Sequence, residues 1–191
     1  MHPRQAEVLR ITREEREGSA PTIHPNGFIQ LKLTNDRRMH FWHPEIPRQK
    51  VGSPIHDHIF DMASVILLGT LFHREVHIQP DRDGYYVIWE AVPVRDTETE
   101  LVSTGERVRA DHGPEQELKP GDHYFFEAFC FHLTRDAVPA VSIIRKRQEF
   151  EGRRPRVLVP AGQKPDNDFT RDSFDPEFIE QFIFRVIEEA R

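Results

Sequence analysis

The sequence is poor in cysteine, in long apolar runs and in net positive charge. Its single cysteine, Cys130, excludes an internal disulfide and is typical of a reducing compartment. No apolar run approaches membrane-spanning length, and residues 1–10 lack the apolar core of a signal peptide. We therefore expect a cytoplasmic protein with no membrane partner.

The charge balance bears on the class of partner. A formal net charge of -6 argues against nucleic acid as the main partner, because phosphate binding needs a basic face. A chain of 191 residues is long enough to bury one sizeable core, so we expect a single domain.

Short strands separated by turn residues dominate the sequence. Aromatic and β-branched residues recur in brief runs that are bounded by Gly, Pro, Asn and Asp, which is typical of an all-β sandwich or barrel. The predicted strands are Phe28–Leu33, Met39–Trp42, Ile55–Leu68, Leu71–Ile78, Tyr85–Val94, Tyr124–Phe126, Phe131–Thr134 and Val141–Ile144, with weaker signals at Leu101-Val102 and Arg107–Arg109. A short helix is predicted around Ala6–Glu17.

The C-terminal segment changes to a helical period. Asp175 can cap a helix, Pro176 suits its first position, and Glu177 complements the helix dipole. Apolar residues then form one stripe: Phe178, Ile179, Phe182, Ile183, Val186 and Ile187. We predict a helix over 175–190 that packs against the outside of the β-structure, with a dimer contact as the alternative.

Three of the eleven histidines fall at a spacing suited to metal binding. His56 and His58 lie one residue apart in a strand-like stretch, so their side chains are expected on one face. Two such imidazoles can hold one metal ion at about 2.1 Å. The third candidate ligand is His132, which follows Gly121 by eleven positions. The alternative is that three unrelated polar residues lie near strand ends.

Two segments resemble the paired motifs of the cupin superfamily. Gly52–Gly69 is similar to the first motif, with His56 and His58 at the paired histidines and Gly69 at the closing glycine. The stretch from Gly121 to His132 resembles the second motif, and Asp136 stands where asparagine is frequent. The resemblance covers residues 52–136 and implies an all-β, double-stranded β-helix (jelly-roll-like) barrel. Residues 1–27 would be an N-terminal extension of this single domain over 1–191.

The departures from the family pattern concern the metal ligands. Met62 occupies the position of the usual glutamate, and a thioether is a poor ligand for a hard cation. Asp61 is one residue away and should face the other side unless a bulge rotates it. The resemblance therefore implies a three-histidine centre with open coordination positions, which suits a small anionic or bidentate substrate.

Three-histidine iron sites in cupins are typical of thiol dioxygenases and of some enzymes that cleave carbon–carbon bonds. The similarity to thiol dioxygenases is limited to the ligands: Ala63 replaces their crosslinking cysteine, and Arg145, Arg147 and Glu149 replace their Ser-His-Tyr trio. The resemblance implies a metal-dependent dioxygenase with Fe(II), forming a homodimer. The alternatives are a lyase, isomerase or hydrolase with Zn, Ni or Mn, and a non-catalytic small-molecule-binding cupin.

Other residues are candidates for supporting roles. His123, Tyr124 and Glu127 are possible catalytic or ligand-supporting groups; the alternatives are an exposed strand histidine, a core aromatic and a loop-tip carboxylate. His73 and His77 are predicted on the surface, His40 and His43 are weaker candidates for the site, and Cys130 is predicted to be buried. One of Arg37, Arg38, Arg48 and Lys50 is a candidate to hold a substrate carboxylate.

Overall fold

A computed structural model describes residues 2–48, 54–95, 98–136, 138–165 and 174–190. Within these residues, two helices flank a set of twelve strands. In chain order the elements are α1 (Pro3–Glu14), β1 (Thr22–His24), β2 (Phe28–Leu33), β3 (Arg37–Trp42), β4 (Phe60–Leu68), β5 (Leu71–Pro80), β6 (Tyr86–Arg95), β7 (Glu98–His112), β8 (Gln116–Leu118), β9 (His123–Phe126), β10 (Phe131–Asp136), β11 (Ala140–Glu149), β12 (Arg156–Pro160) and α2 (Pro176–Glu189).

The strands form two antiparallel sheets. The first sheet has the order β1-β2-β3-β11-β4-β9, and the second has the order β10-β5-β7-β6-β12, with β8 added to β5. The all-β class and the C-terminal helix are therefore as predicted. Within the described strands no hydrogen-bonded ladder joins the two sheets, so the predicted barrel is not closed.

Both helices pack against one face of the first sheet. The Asp175 carboxylate accepts a hydrogen bond from the Glu177 N–H at 3.0 Å, and Pro176 follows at the first helical position. Five residues of the apolar stripe of α2 are buried together with Val8 and Ile11 of α1 against alternate residues of β2, β3 and β11, whereas the sixth, Phe178, is exposed. This confirms the predicted outside packing. Because the chain itself covers the stripe apart from Phe178, the buried part of the stripe gives no reason to expect a dimer.

The opposite face of the first sheet is turned toward the second sheet. Phe28, Trp42 and Ile66 from the first sheet pack with Leu71 and Leu118 from the second. The Trp42 indole N–H donates to the Ser142 hydroxyl at 3.1 Å, which satisfies a polar group in this interior. Positions that alternate with the helix-covered residues therefore line the space between the sheets. We call this space the interior.

Several predicted boundaries are wrong. The predicted strand Ile55–Leu68 begins only at Phe60, and the two weak signals beyond Asp96 belong to one long strand, β7. Strand β12 was not predicted.

Cys130 is exposed rather than buried. Gly52 and Lys50 lie outside the described residues. Of the described helices, neither is long and apolar enough to cross a membrane.

Candidate metal centre

His56 is joined to His132 through the main chain. The His56 N–H donates to the His132 carbonyl at 3.0 Å, and the His132 N–H donates to the His56 carbonyl at 2.9 Å. His56 also bridges to Val157, so it is held between β10 and β12 as an isolated bridge residue rather than within a strand. The pairing fixes the backbones of two predicted ligands side by side.

His58 lies in the irregular segment that leads into β4. Its carbonyl accepts a hydrogen bond from the Phe129 N–H at 2.8 Å, and its ring stacks on Phe60 with centroids 4.9 Å apart. His132 is buried on β10 opposite Glu75 of β5, while His56 and His58 are half-buried. The cluster therefore lies just below the surface.

The three imidazoles converge as the sequence predicts. Their ring centroids are 4.6 to 5.0 Å apart, and one nitrogen from each ring lies within 4.8 Å of the others. The Nε2 atoms of His56 and His132 are 3.2 Å apart. Two ligands bound to one ion at about 2.1 Å each are separated by about 3.0–3.4 Å, so this pair already has the spacing of a shared cation.

The protonation of the cluster also suits a metal. The His56 Nδ1–H donates to the Pro54 carbonyl at 2.9 Å, which leaves the Nε2 lone pair directed at His132. Burial lowers the pKa of all three histidines, and mutual repulsion among protonated rings lowers it further for His58 and His132. Neutral imidazoles are the form that binds a metal.

No carboxylate joins this cluster in the part of the chain that the structure describes. Met62 faces the interior and packs with Phe60, Phe126 and Ile144. Asp61 points to the other side of β4, where its Oδ1 accepts a hydrogen bond from the Ala128 N–H at 2.9 Å. Asp61 therefore holds the loop before β10 and is not a fourth ligand.

Asp57 separates the first two histidines in the chain and is fully buried. Its carboxylate accepts hydrogen bonds from the Arg156 main-chain N–H at 2.6 Å and from the Arg156 guanidinium at 2.7 Å. Burial raises the pKa of Asp57, and the charge of Arg156 opposes that rise. The pair ties the metal-binding segment to β12. The two residues lie 99 positions apart, so no local pattern could have revealed it.

Two further histidines lie in the interior. His73 is buried, contrary to its predicted surface position, and its ring centroid is 5.6 Å from that of His132. His40 is buried against Phe28. The Nε2 atoms of both have no hydrogen-bond partner among the described residues. The sequence did contain a signal for these buried positions. His40 lies two positions from Trp42 and His73 lies two positions from Leu71, so each shares a strand face with an apolar residue. Asn26 also neighbours the cluster, since its amide nitrogen lies 3.2 Å from His56 Nδ1, and no sequence pattern indicated this position.

The predicted catalytic residues have different positions. Tyr124 faces the interior, where its ring stacks on His73 at 5.4 Å and burial raises its pKa to about 12. His123 is on the outward face of β9, and Glu127 is exposed in the following loop. The structure thus places Tyr124 near the cluster and does not bring His123 or Glu127 to it.

The basic residues that were candidates to hold a substrate carboxylate lie in different places. Arg37 pairs with Glu15, and Arg48 pairs with Asp136. Arg38 shares a face of β3 with His40 and Trp42, so it lies at the edge of the interior.

Comparisons with known proteins found similar solved structures and no matching family. Neither protein-family models nor curated proteins match this chain. Among solved structures it is similar to the Drosophila melanogaster CENP-C cupin domain, with 11% identity, a TM-score of 0.38, and 75% of this chain and 93% of that chain covered. It is also similar to the DMSP lyase DddQ from Ruegeria pomeroyi DSS-3, with 15% identity, a TM-score of 0.36, and coverage of 80% and 60%.

A third similar structure is hydroquinone 1,2-dioxygenase from Sphingomonas sp. TTNP3, with 12% identity, a TM-score of 0.32, and coverage of 60% and 61%. The activities of these proteins belong to them and are not carried to this chain by similarity of this size. Within this chain the three histidines of the two motifs come together, as predicted.

Proposed function

We propose that this protein is a metal-dependent dioxygenase of a small organic molecule, with Fe(II) held by His56, His58 and His132. The convergence of three neutral imidazoles without a carboxylate supports this proposal. Fe(II) held there would supply open coordination positions and a redox-active centre through which electrons could pass from the substrate to dioxygen. A dioxygenase inserts both oxygen atoms into its substrate, so it consumes no additional reductant.

The chain's own residues would position the substrate and limit the access of water. Phe60, Phe126 and Met62 give the interior next to the cluster an apolar wall. Tyr124 is protonated at neutral pH, as an ordinary tyrosine is, and burial raises its pKa further to about 12, so its hydroxyl can donate a hydrogen bond to a bound substrate. The half-buried His56 and His58 mark the side from which the substrate enters.

The proposal is tested by loading the full-length chain with Fe(II) under anaerobic conditions and then measuring oxygen uptake with a panel of small organic acids. We expect about one iron per chain, the stoichiometry of a three-histidine site. Oxygen uptake should require both iron and an organic substrate and should proceed without added reductant.

A matched pair of variants assigns the iron to the cluster. His132→Asn should lose iron and oxygen uptake, whereas His77→Asn, at an exposed position of β5, should retain both. A chain that binds no metal would contradict the proposal. A chain that retains Zn, Ni or Mn and turns over a substrate without oxygen would favour a lyase, isomerase or hydrolase instead.

A further inference from the structure

The ring of His132 carries a second nitrogen that has no hydrogen-bond partner. Its Nε2 atom lies 3.2 Å from His56 Nε2, so Nδ1 is on the side of the ring away from His56. No described group bonds to Nδ1, and only 2% of His132 is exposed. Metal-binding histidines usually donate the N–H of the second nitrogen to a partner that orients the ring. Among the described residues, His132 lacks a direct partner of this kind.

The position of one proton shows when that partner is needed. His56 donates its Nδ1–H to the Pro54 carbonyl, so its Nε2 is an acceptor, and a neutral His132 donates its Nε2–H to it. The lone pairs of both Nε2 atoms are required when an ion binds the cluster. The proton of His132 then occupies Nδ1, because a neutral imidazole carries one proton on one of its two nitrogens. A buried N–H without an acceptor costs about 1–3 kcal/mol.

The ring of His73 lies next to that of His132. His73 of β5 is paired with Thr134 of β10, two positions after His132, so the two histidines share one face of the second sheet. Their ring centroids are 5.6 Å apart and their planes are perpendicular. His73 Nδ1 lies 3.3 Å from the Thr134 hydroxyl oxygen, which fixes the orientation of the ring.

His73 also carries an unpartnered nitrogen. Only 2% of this residue is exposed, and its Nε2 has no hydrogen-bond partner among the described residues. The Phe126 ring packs on both imidazoles, with its centroid 4.3 Å from each. Two adjoining buried rings therefore each present one nitrogen that no direct hydrogen bond satisfies.

One water molecule between the two rings would satisfy both nitrogens. Buried water typically bridges polar groups that otherwise have no partner. With the Nδ1–H of His73 donated to Thr134, the Nε2 of His73 is an acceptor. In the metal-free chain the water donates to His73 Nε2 and to His132 Nδ1. When the proton of His132 moves to Nδ1, the same water accepts from it and still donates to His73.

We infer that His73 is a positioning residue for the metal centre and that it acts on His132 through this bridging water. His73 would fix the orientation of the His132 ring and supply the acceptor for its Nδ1–H when an ion occupies Nε2. The inference rests on the metal site of the proposed function. It applies to any ion held there, so Zn(II) is a suitable probe.

Two substitutions of His73 separate the water bridge from the bond to Thr134. The amide of a glutamine reaches about the position of histidine Nε2, whereas the amide of an asparagine reaches about the position of Nδ1. We expect His73→Asn and His73→Leu to weaken Zn(II) binding by about 10–100-fold, the usual cost of losing a group that orients a ligand. His73→Gln should retain most of the affinity.

Calorimetric titration of the full-length chain with Zn(II) measures these affinities, and thermal unfolding checks that each variant is folded. His77→Leu is the matched control, because His77 is exposed on the same strand, and it should bind Zn(II) like the unmodified chain. Unchanged affinity in His73→Leu would overturn the inference. Rescue by Asn rather than Gln would also overturn it, in favour of a structural role through Thr134.

Nuclear magnetic resonance of the imidazole nitrogens gives a readout that a purely structural role would not change. In the ¹⁵N-labelled chain, His132 should carry its proton on Nε2 without metal and on Nδ1 with Zn(II). The Nδ1 proton should exchange slowly with solvent in the unmodified chain and in His73→Gln, and faster in His73→Asn. A proton on Nδ1 in the metal-free chain, or equal exchange in the two variants, would contradict the water bridge.

The two proposals fail separately in this design. A chain that binds Zn(II) independently of His73 retains the metal site and loses the positioning role. A chain that shows the expected Zn(II) pattern but takes up no oxygen with Fe(II) retains the positioning role, and the dioxygenase proposal is then wrong. A chain that binds no Zn(II) would overturn both.

Discussion

The side chain of Asp57 is fully buried, whereas 29% of the side chain of its partner Arg156 is exposed. Removing either residue therefore leaves a different group unpaired. A buried carboxylate without a cation is costly, whereas a half-buried guanidinium can still be solvated.

We accordingly predict that Arg156→Gln lowers the free energy of unfolding by about 3–5 kcal/mol. Asp57→Asn should lower it by about 1–3 kcal/mol, because the amide still accepts from the Arg156 N–H. Both should weaken metal binding by about 10–100-fold, as expected for groups that orient ligands. Urea unfolding and metal titration measure these effects. Asp111→Asn, in the exposed pair with Arg109, is the control and should change stability by less than about 1 kcal/mol.

His40 should make the stability of the metal-free protein depend on pH. Burial lowers its pKa to about 3 from 6.5, and the charges of Arg38 and His56 add to the effect, while the Phe28 and Trp42 rings complete its surroundings. Between these values the unfolded chain binds a proton that the folded chain does not, so the free energy of unfolding falls as pH decreases. His40 alone accounts for a slope of about 1 kcal/mol per pH unit well below 6.5.

Urea unfolding of metal-free protein between neutral and mildly acidic pH measures this slope. His40→Gln should reduce it, and His77→Gln controls for the loss of one imidazole from the chain. An unchanged slope in His40→Gln would show that this histidine is not held neutral by its surroundings.

Gly69 should not tolerate a side chain. It has a φ of +68°, and a Cβ there would collide with the carbonyl oxygen of Pro139. Gly105 has a similar φ of +76° with open space around it. Gly105→Ala should therefore cost only the backbone strain of about 1–2 kcal/mol. Gly69→Ala should cost more, and the difference in unfolding midpoints isolates the collision. Equal losses would mean that the loop moves freely away.

The stripe of α2 should contribute to monomer stability. Ile183 has no exposed surface, and Ile183→Ala should lower the free energy of unfolding by about 2–5 kcal/mol without changing the molecular mass in solution. Phe184→Ala, on the exposed side of the same helix, should change it by less than about 0.5 kcal/mol. A change of oligomeric state in Ile183→Ala would show that the stripe also serves a partner.

The sequence predicted those features that depend on local period and motif spacing. The period of Ile179, Ile183 and Val186 predicted α2 and its buried face, and the two motifs brought His132 to His56. Alternation correctly placed Met62 inside and Asp61 outside. Each of these inferences uses residues that are close in sequence or spaced by a known pattern.

The errors arise where distant segments decide the structure. The strand predicted to contain His56 and His58 begins later than expected, at Phe60. His56 is held by single bridges to β10 and β12 rather than by a continuous ladder. His73 was placed on the surface although it lies two positions from the apolar Leu71 and shares its face of β5. Asp57 and Arg156 meet only after β12 returns beside the metal-binding segment.

The reciprocal main-chain hydrogen bonds between His56 and His132 have a consequence for how an ion would leave. These two ligands are fixed relative to each other by that pair of hydrogen bonds, whereas the His58 main chain is attached to the loop through a hydrogen bond with Phe129. Dissociation of the ion would begin when the His58 side chain rotates outward. The other two imidazoles would stay in place and could bind the ion again. Metal exchange would then proceed by local opening of one side chain, at a rate set by the 127–130 loop rather than by global unfolding.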